Sequence, residues 1–368
     1  MTDALRLGVI GVGDVAQRDY LPEIGRLEPE AVVVAVAGAG PERVREVADR
    51  LGVAAHVGYP SLLDADDADD VDAVLNLTPA PLHHEVNAAA IDAGKHVYSE
   101  KPLAMTAEAA RSLGASAATR GLVLAAAPSV MVFPQIGMVF EQLGTGRLGP
   151  PVAAAGAAFG GVPPWEGFAS DPSPYFAKGV GPLVDIGVYP LHAMTGLLGP
   201  VQWVGALGRR TRDSFEVLDG PARGTRVLVE EDDLSLITLE LTSGVLATVQ
   251  SSFASVPGSS PEFEVLCETG AVACSLLDPS APVRVSDGAE WTEVPVPAER
   301  ADGPDHILGV RNFVRCVHGL EPLFITAEHA AHVLDVIEAA RASVAERRFV
   351  DVPDHGWSPP GRWIAADG

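Results

Sequence analysis

The strongest constraint on the fold lies near the N-terminus. "LRLGVIGVG", residues 5 to 13, is an apolar run of strand type that ends in spaced glycines, and "DVAQRDY" follows with helical texture. A strand apolar on both faces that passes through a glycine turn into a helix belongs to a parallel sheet covered by helices. The pattern then repeats. "AVVVAVAG" reads as a strand, and "PERVREVADRLG" as a helix with Pro41 at its start and Gly52 past its end. "VDAVLNLTP" is a strand, "PLHHEVNAAAIDAG" a helix closed by Gly94, and "KHVYSEKP" a strand with its exit turn. "TAEAARSLGASAATRG" is a helix with Thr106 as N-cap, and "LVLAAA" a strand. "AQRDYLPEIGRL" is expected to be helical and interrupted at Pro22. The alternation predicts an α/β chain that begins with a doubly wound parallel sheet, over residues 1–127.

After about Pro128 the texture changes. "DLSLITLELTSGVLATVQSSF" reads as two strands around Ser243-Gly244, and "EFEVLCETGAVACSLLD" as two more around Thr269-Gly270. A long helix is expected from roughly Thr326 to Arg347, and "DHGWSPPGRW" as an extended tail. Residues 128–368 are therefore expected to form an α+β domain on an open, largely antiparallel sheet.

Composition excludes several classes of function. The net charge of −24 repels a phosphate backbone and an anionic membrane surface, so neither nucleic acid nor membrane is an expected partner. No apolar run approaches the ~20 residues needed to span a bilayer, and no secretory leader is expected. The acidic run "LLDADDADDVDAV", with Asp64, Asp66, Asp67, Asp69, Asp70 and Asp72, lacks the glycine and closing glutamate of a calcium loop and reads as a solvated loop. Cys267, Cys274 and Cys316 show no metal spacing; no metal site is expected, and the thiols read as reduced, in a cytoplasmic protein.

Three motifs carry chemistry. In "GVGDVA", Gly11 permits a tight turn, Gly13 lets backbone approach a pyrophosphate, and Ala16 allows close helix–strand packing. With Asp14 and Val15 this turn is the expected dinucleotide cradle. "EKP", Glu100-Lys101-Pro102, ends a predicted parallel strand, where ligands of such sheets bind and a lysine can touch both cofactor and substrate. In "GVGPLVDIGVYPLHAMTGLLG", Asp185, Tyr189 and His192 are titratable groups in an apolar segment. On one helix, residues 185 and 189 would share a face, but Pro190 places the start of the helix near itself. The loop "PPWEGFASDPSPYFAKG" offers Trp165, Phe168, Tyr175 and Phe176, either as aromatic surface for a sugar ring or as packing over the sheet.

These residues together resemble the Gfo/Idh/MocA oxidoreductase family. The resemblance rests on "GVIGVGDVAQ", on "LNLTPAPLHHEVNAAAIDAGKHVYSEKPLAMTAEAA", on "GRLG" at 146 to 149, and on "GPLVDIGVYPLHAMTGLLG". It implies hydride transfer between a nicotinamide and a carbinol or carbonyl carbon of a sugar or related alcohol. It also implies a catalytic Lys101 with Asp185 and Tyr189, and Thr78, Pro79 and His83 lining the nucleotide site beside Glu100. Tyrosine at 189 is similar to the glucose–fructose oxidoreductase and dihydrodiol dehydrogenase branches. Lys101 beside Tyr189 favours the phenolate, which makes tyrosine a better base. His192, Trp165 and Lys101 are the expected substrate contacts. The resemblance implies that residues 128–368 serve substrate binding and oligomerisation, with homodimers or homotetramers formed through the sheet. Two other readings stay open: a ligand- and cofactor-sensing protein of this fold without catalysis, and a dehydrogenase of non-sugar diols or ketones.

One departure from the family bears on the cofactor. The usual Asp-x-Asp-Pro-Glu-Arg after the second strand is here Gly38-Ala39-Gly40-Pro41-Glu42-Arg43. A carboxylate in that turn holds the ribose of NAD and repels a 2′-phosphate. Its absence, with Arg43 in the first helical turn, favours NADP over NAD. A turn that no longer serves selection is the alternative.

Overall fold

The computed structural model describes residues 3–64, 71–165, 168–255, 262–278, 281–296 and 305–359. Asp66, Asp67, Asp69 and Asp70 of the acidic run lie outside these residues, as do Glu166 and Gly167 of the aromatic loop and the tail from residue 360. The chain divides into two compact units, Met1–Ser129 with His306–Ala331, and Val130–Asp305 with His332–Gly368.

The first unit is built on β1 (Leu5–Ile10), β2 (Ala31–Gly38), β3 (Ala54–Val57), β4 (Ala73–Asn76), β5 (His96–Ser99) and β6 (Leu124–Ala126). Their order is β3-β2-β1-β4-β5-β6, and all neighbours run parallel. Leu7, Val9, Val36, Val74 and Leu75 are fully buried, each stabilising by about 1.5–3 kcal/mol. The order reverses between β1 and β4. The loops that leave these two strands turn opposite ways, and ligands of doubly wound sheets bind there. Helices α1 (Pro41–Leu51), α2 (Tyr59–Asp64), α3 (His83–Asp92) and α4 (Ala107–Thr119) connect the strands. As expected, Pro41 opens α1, Gly52 closes it at φ 70°, and the Thr106 hydroxyl caps α4 by accepting from the Ala109 N–H at 3.2 Å. The stretch after β1 is helical but not α-helical. Ala16–Tyr20 forms a widened π-type turn, and Leu21–Leu27 a tight 3-10 helix containing Pro22. Proline has no N–H to give the carbonyl four residues back, so an α-helix cannot continue through it.

The second unit holds α5 (Pro134–Gly144), α6 (Gly181–Asp185), α7 (Val188–Leu198) and a nine-stranded sheet. The strands are β7 (Pro151–Phe159), β8 (Val201–Arg209), β11 (Leu234–Leu241), β12 (Leu246–Ser252), β13 (Phe263–Cys267), β14 (Ala271–Cys274), β15 (Val283–Ser286), β16 (Trp291–Val294) and β17 (Val350–Asp351). Their order is β16-β15-β14-β13-β7-β12-β11-β8-β17. Only the β7–β12 pairing is parallel. The sheet is mixed but largely antiparallel, as expected. Helix α7 lies so close to β7 that a Cβ on Gly156 would stand 2.6 Å from the Pro190 ring. A side chain there would push the helix off the sheet. A separate hairpin, β9 (Ser214–Glu216) with β10 (Arg226–Leu228), encloses a small core of Phe176, Val217, Val227, Val229 and Phe253.

Two helices follow, α8 (Ile307–Val317) and α9 (Ala327–Glu346). Helix α9 matches the expected long helix. Residues 306–331 join the first unit, which a single cut after residue 127 does not provide for. The reason lies at the edge strand: the Ala126 N–H donates to the Ile325 carbonyl at 2.9 Å, and the Ser129 hydroxyl to the His306 carbonyl at 3.0 Å. Among the described residues, no helix is long and apolar enough to cross a membrane.

Candidate active site

The glycine turn after β1 is locked between its neighbours. Gly11 has φ 99°, and a Cβ on it would stand 2.5 Å from the Leu77 backbone after β4. Its N–H donates to the Ala37 carbonyl at 2.8 Å, and the Leu77 N–H to the Ile10 carbonyl at 2.8 Å. Gly13 differs: a Cβ there would meet nothing within 4 Å. Open backbone between two strand exits is the shape that a pyrophosphate needs, so this cradle fits a dinucleotide. Asp14 and Val15 lead from it into the π-type turn.

The exit of β2 is bare. A Cβ on Gly38 would be tight against Val44 at 3.0 Å and Val12 at 3.3 Å. Gly40 is the N-cap of α1 and offers no side-chain cap. Arg43, in the first turn of α1, is half-exposed with its guanidinium 3.8 Å from Asp14.

The exits of β4 and β5 share a buried polar network. The Asn76 amide donates to the Asn87 side-chain oxygen at 2.8 Å, and the Asn87 amide to the Ser99 hydroxyl at 2.9 Å. Asn76 also accepts from the Thr78 hydroxyl at 2.6 Å. His83 stands between two carbonyls, Pro102 at 2.6 Å from Nδ1 and Thr78 at 2.7 Å from Nε2. Both carbonyls accept only, and a neutral ring has one N–H to donate. Burial pushes the His83 imidazole below its usual range while the two carbonyls pull it up. His83 thus ties the Thr78-Pro79 loop to the turn that carries Lys101.

Glu100 is the buried charge of the site. Tyr20 donates its hydroxyl to one Glu100 oxygen at 2.5 Å, and the Lys101 N–H donates to the other at 2.9 Å. Burial by itself would raise the Glu100 carboxyl. Lys101, His306 and the two hydrogen bonds outweigh burial and hold it below the usual carboxylate range. Lys101 itself is half-buried.

The remaining candidates belong to the second unit. Asp185 ends α6, and Tyr189 lies in the first turn of α7, with Ile186 and Gly187 between the helices. The helix starts near Pro190, as expected, so 185 and 189 do not share the face of one continuous helix. Pro190 permits a helix start but not a continuous helix, and a Cβ on Gly187 would press on the Leu183 backbone at 2.7 Å. Asp185 is half-buried and Tyr189 buried. His192 is also buried, with Nδ1 2.8 Å from the Val188 carbonyl, and burial pushes its imidazole down to about 4. Trp165 donates its indole N–H to the Gly160 carbonyl at 2.5 Å and packs edge-on against Phe168, Tyr175 and Phe253. Among the described residues, no group of three or more His, Cys, Asp or Glu side chains is placed to hold a metal, and all three cysteines are free thiols.

Residues 5–127 match the model of an "Oxidoreductase family, NAD-binding Rossmann fold", and residues 139–273 match the "GFO/IDH/MocA C-terminal domain". The chain belongs to the Gfo/Idh/MocA oxidoreductase family. Within it, the chain is 38% identical over 222 residues to the dTDP-3,4-didehydro-2,6-dideoxy-alpha-D-glucose 3-reductase of Actinomadura kijaniata, covering 59% of this chain and 64% of that one. It is 41% identical over 110 residues to the inositol 2-dehydrogenase of Klebsiella pneumoniae subsp. pneumoniae, covering 30% and 32%. The chain thus spans less than two thirds of the length of these curated relatives. The fold is similar to that of KijD10, a 3-ketoreductase from Actinomadura kijaniata, in a crystal structure with TDP-benzene and NADP: TM-score 0.73, 27% identity, covering 93% of this chain and 98% of that one.

For a Gfo/Idh/MocA chain, the motif residues were legible and their supports were not. Tyr20, Asn76, Asn87 and Ser129 escaped the sequence reading. The available signals were a tyrosine where the helical pattern breaks before Pro22, and lone asparagines inside the apolar runs "VDAVLNLTP" and "HHEVNAAA".

Proposed function

We propose that this protein is an NAD(P)-dependent oxidoreductase that interconverts a carbinol and a carbonyl carbon on a sugar or sugar derivative. One observation carries the reading. An open glycine turn at the switch point of a parallel sheet is joined, through Tyr20, to a buried carboxylate that fixes the backbone of Lys101. The relatives named for a dTDP-linked sugar and for inositol support a sugar or cyclitol substrate.

Gly11, Gly13, Asp14 and Val15 would hold the pyrophosphate, and Thr78, Pro79 and His83 would line the nucleotide site. The nicotinamide supplies the hydride chemistry when bound. A hydride leaves carbon only as a proton leaves oxygen, so a group is needed to carry that proton. In this reading Tyr189 carries it. The Lys101 ammonium favours the phenolate over the phenol, whose ordinary pKa is near ~10. Asp185 orients the lysine or the substrate. NADP is the preferred cofactor, because residues 38–40 carry no carboxylate and Arg43 lies in the first turn of α1. A second copy of the chain covers the open face of the nine-stranded sheet.

The test is titration with NADPH and NADH at equal ionic strength, then turnover with pyranosides, inositols, sugar acids and nucleotide-linked keto sugars. Binding with turnover of one such class is expected. Binding without turnover of any would favour a sensing role, and binding of neither nucleotide would sink the reading.

A further inference from the structure

Tyr20 belongs to none of the motifs that mark this family's site, yet it is fully buried with its hydroxyl on the Glu100 carboxylate. A phenylalanine would fill the same space. A buried hydroxyl needs a partner, and Tyr20 donates to the one carboxylate that adjoins Lys101.

We infer that Tyr20 is a positioning residue, which holds the Glu100 carboxylate in place and thereby sets the proton affinity of the Lys101 ammonium. The inference rests on the reading of Lys101 as the ammonium that favours the Tyr189 phenolate.

Three observations support it. Both Glu100 oxygens are engaged from different parts of the chain, one by Tyr20 from the turn after the glycine cradle and one by the Lys101 N–H. The carboxylate thus fastens the cradle to the lysine turn. Second, the hydroxyls form a directed chain. Ser129 donates to the His306 carbonyl at 3.0 Å, and the Tyr98 hydroxyl lies 3.4 Å from Ser129 and 3.2 Å from Tyr20. The Tyr98 proton has an acceptor on either side, so the Tyr20 proton is left for Glu100. Third, the charges agree. The titratable groups that act on Glu100 or on its phenols are Tyr20, Tyr98, Lys101, His306 and His83. Burial, with the Glu100 charge, raises both phenols, which keeps them donors at neutral pH.

Removing the Tyr20 hydroxyl leaves one Glu100 oxygen buried without a donor. The carboxylate, still ionised at the pH where a lysine titrates, is then no longer held in place, and the Lys101 ammonium loses part of the fixed negative charge that favours it. Lys101 should therefore lose its proton at lower pH.

The chain has only three lysines, Lys95, Lys101 and Lys178, so each can be followed individually. The experiment is reductive methylation of the full chain with 13C-formaldehyde, followed by NMR titration. Lys95→Arg and Lys178→Arg assign the Lys101 resonance. In Tyr20→Phe the Lys101 midpoint is expected to fall by about one pH unit. Glu100→Gln keeps the shape and is expected to lower it at least as far. Adding Tyr20→Phe to Glu100→Gln should then do nothing more. An unchanged Lys101 midpoint in a folded Tyr20→Phe overturns the inference, and so does a further fall in the double variant. If Tyr20→Phe fails to fold, Glu100→Gln decides alone: an unchanged midpoint there overturns it. The readout needs neither substrate nor turnover, so it stands apart from the test of the proposed activity. Where a substrate is known, the alkaline limb of kcat/KM should move with the midpoint.

Discussion

The Arg43 guanidinium stands 3.8 Å from the Asp14 carboxylate, linking the first turn of α1 to the glycine turn after β1. The contact is long and Arg43 is half-exposed, so it contributes only ~0.2–1 kcal/mol. A 2′-phosphate would compete well for such a guanidinium. Arg43→Ala should weaken NADPH binding by about tenfold and leave NADH within about twofold, read by fluorescence titration. Equal weakening of both would assign Arg43 to the shared adenosine.

Gly40 and Gly38 differ in what they tolerate. Gly40 has φ −92° and ψ 104°, and a Cβ there would meet only the Arg43 Cβ at 3.9 Å, whereas Gly38 is hemmed in by Val44 and Val12. Gly40→Asp should therefore fold, cap α1, and set a carboxylate against a 2′-phosphate. The NADH-to-NADPH affinity ratio should rise by about tenfold or more. An unmoved ratio would show that the ribose does not lie near residue 40.

Tyr189→Phe keeps a buried ring and removes only the hydroxyl. Turnover should fall roughly a hundredfold or more, with NADPH affinity unchanged. A loss below about threefold would transfer the proton to another group.

His332 makes stability depend on pH. The Val201 N–H donates to its Nε2 at 3.0 Å, so that nitrogen must stay unprotonated. Burial pushes the imidazole from 6.5 down to about 4, with Asp354 pulling up and His355 pushing down. The folded value lies below the unfolded one. As pH falls below 6.5 the unfolded chain takes up a proton that the folded chain refuses, and stability drains away until about pH 4. The loss reaches at most roughly 3 kcal/mol for this group. Urea midpoints measured from pH 7.5 to 4.5 should fall less steeply in His332→Gln than in the parent. Parallel curves would remove His332 from the account.

The open sheet face carries a continuous row. Trp203, Glu240, Leu246, Ala153 and Leu266 lie side by side across five strands, and Leu207 pairs with Leu236 on the same face. Leu207 is 71% exposed and Leu246 59%. Exposed apolar side chains spread over so many strands, with only Glu240 charged in this row, make an association site or an aggregation liability. Leu207→Glu should convert an oligomer to monomers in sedimentation at micromolar concentration, with unchanged circular dichroism. A parent chain that sediments only as a monomer would refute the assignment.

Much of the first unit was readable because its signals are local. Apolar runs, glycines and caps report strands and turns within a few residues, so five of the six parallel strands, the long helix α9 and the two hairpins fall where the pattern puts them. Strands β3, β7, β8, β15 and β16 and helices α2, α5 and α8 are among the elements not assigned. Helix α8 does carry apolar residues at helical spacing, Ile307, Val310, Phe313 and Val314, but they face a unit whose other residues lie far earlier in the chain.

By itself the sequence determined the alternation of strand and helix, the glycine cradle, the bare turn after β2 and the identity of Glu100, Lys101, Asp185 and Tyr189, because each is written in neighbouring residues. The tertiary structure alone decided what those residues rest on. Tyr20 reaches Glu100 across 80 residues, and His83 reaches the Pro102 carbonyl across 19. A buried charge accepts whichever donors the packed sheet brings within about 3 Å, and that proximity comes from strand order rather than from any local pattern.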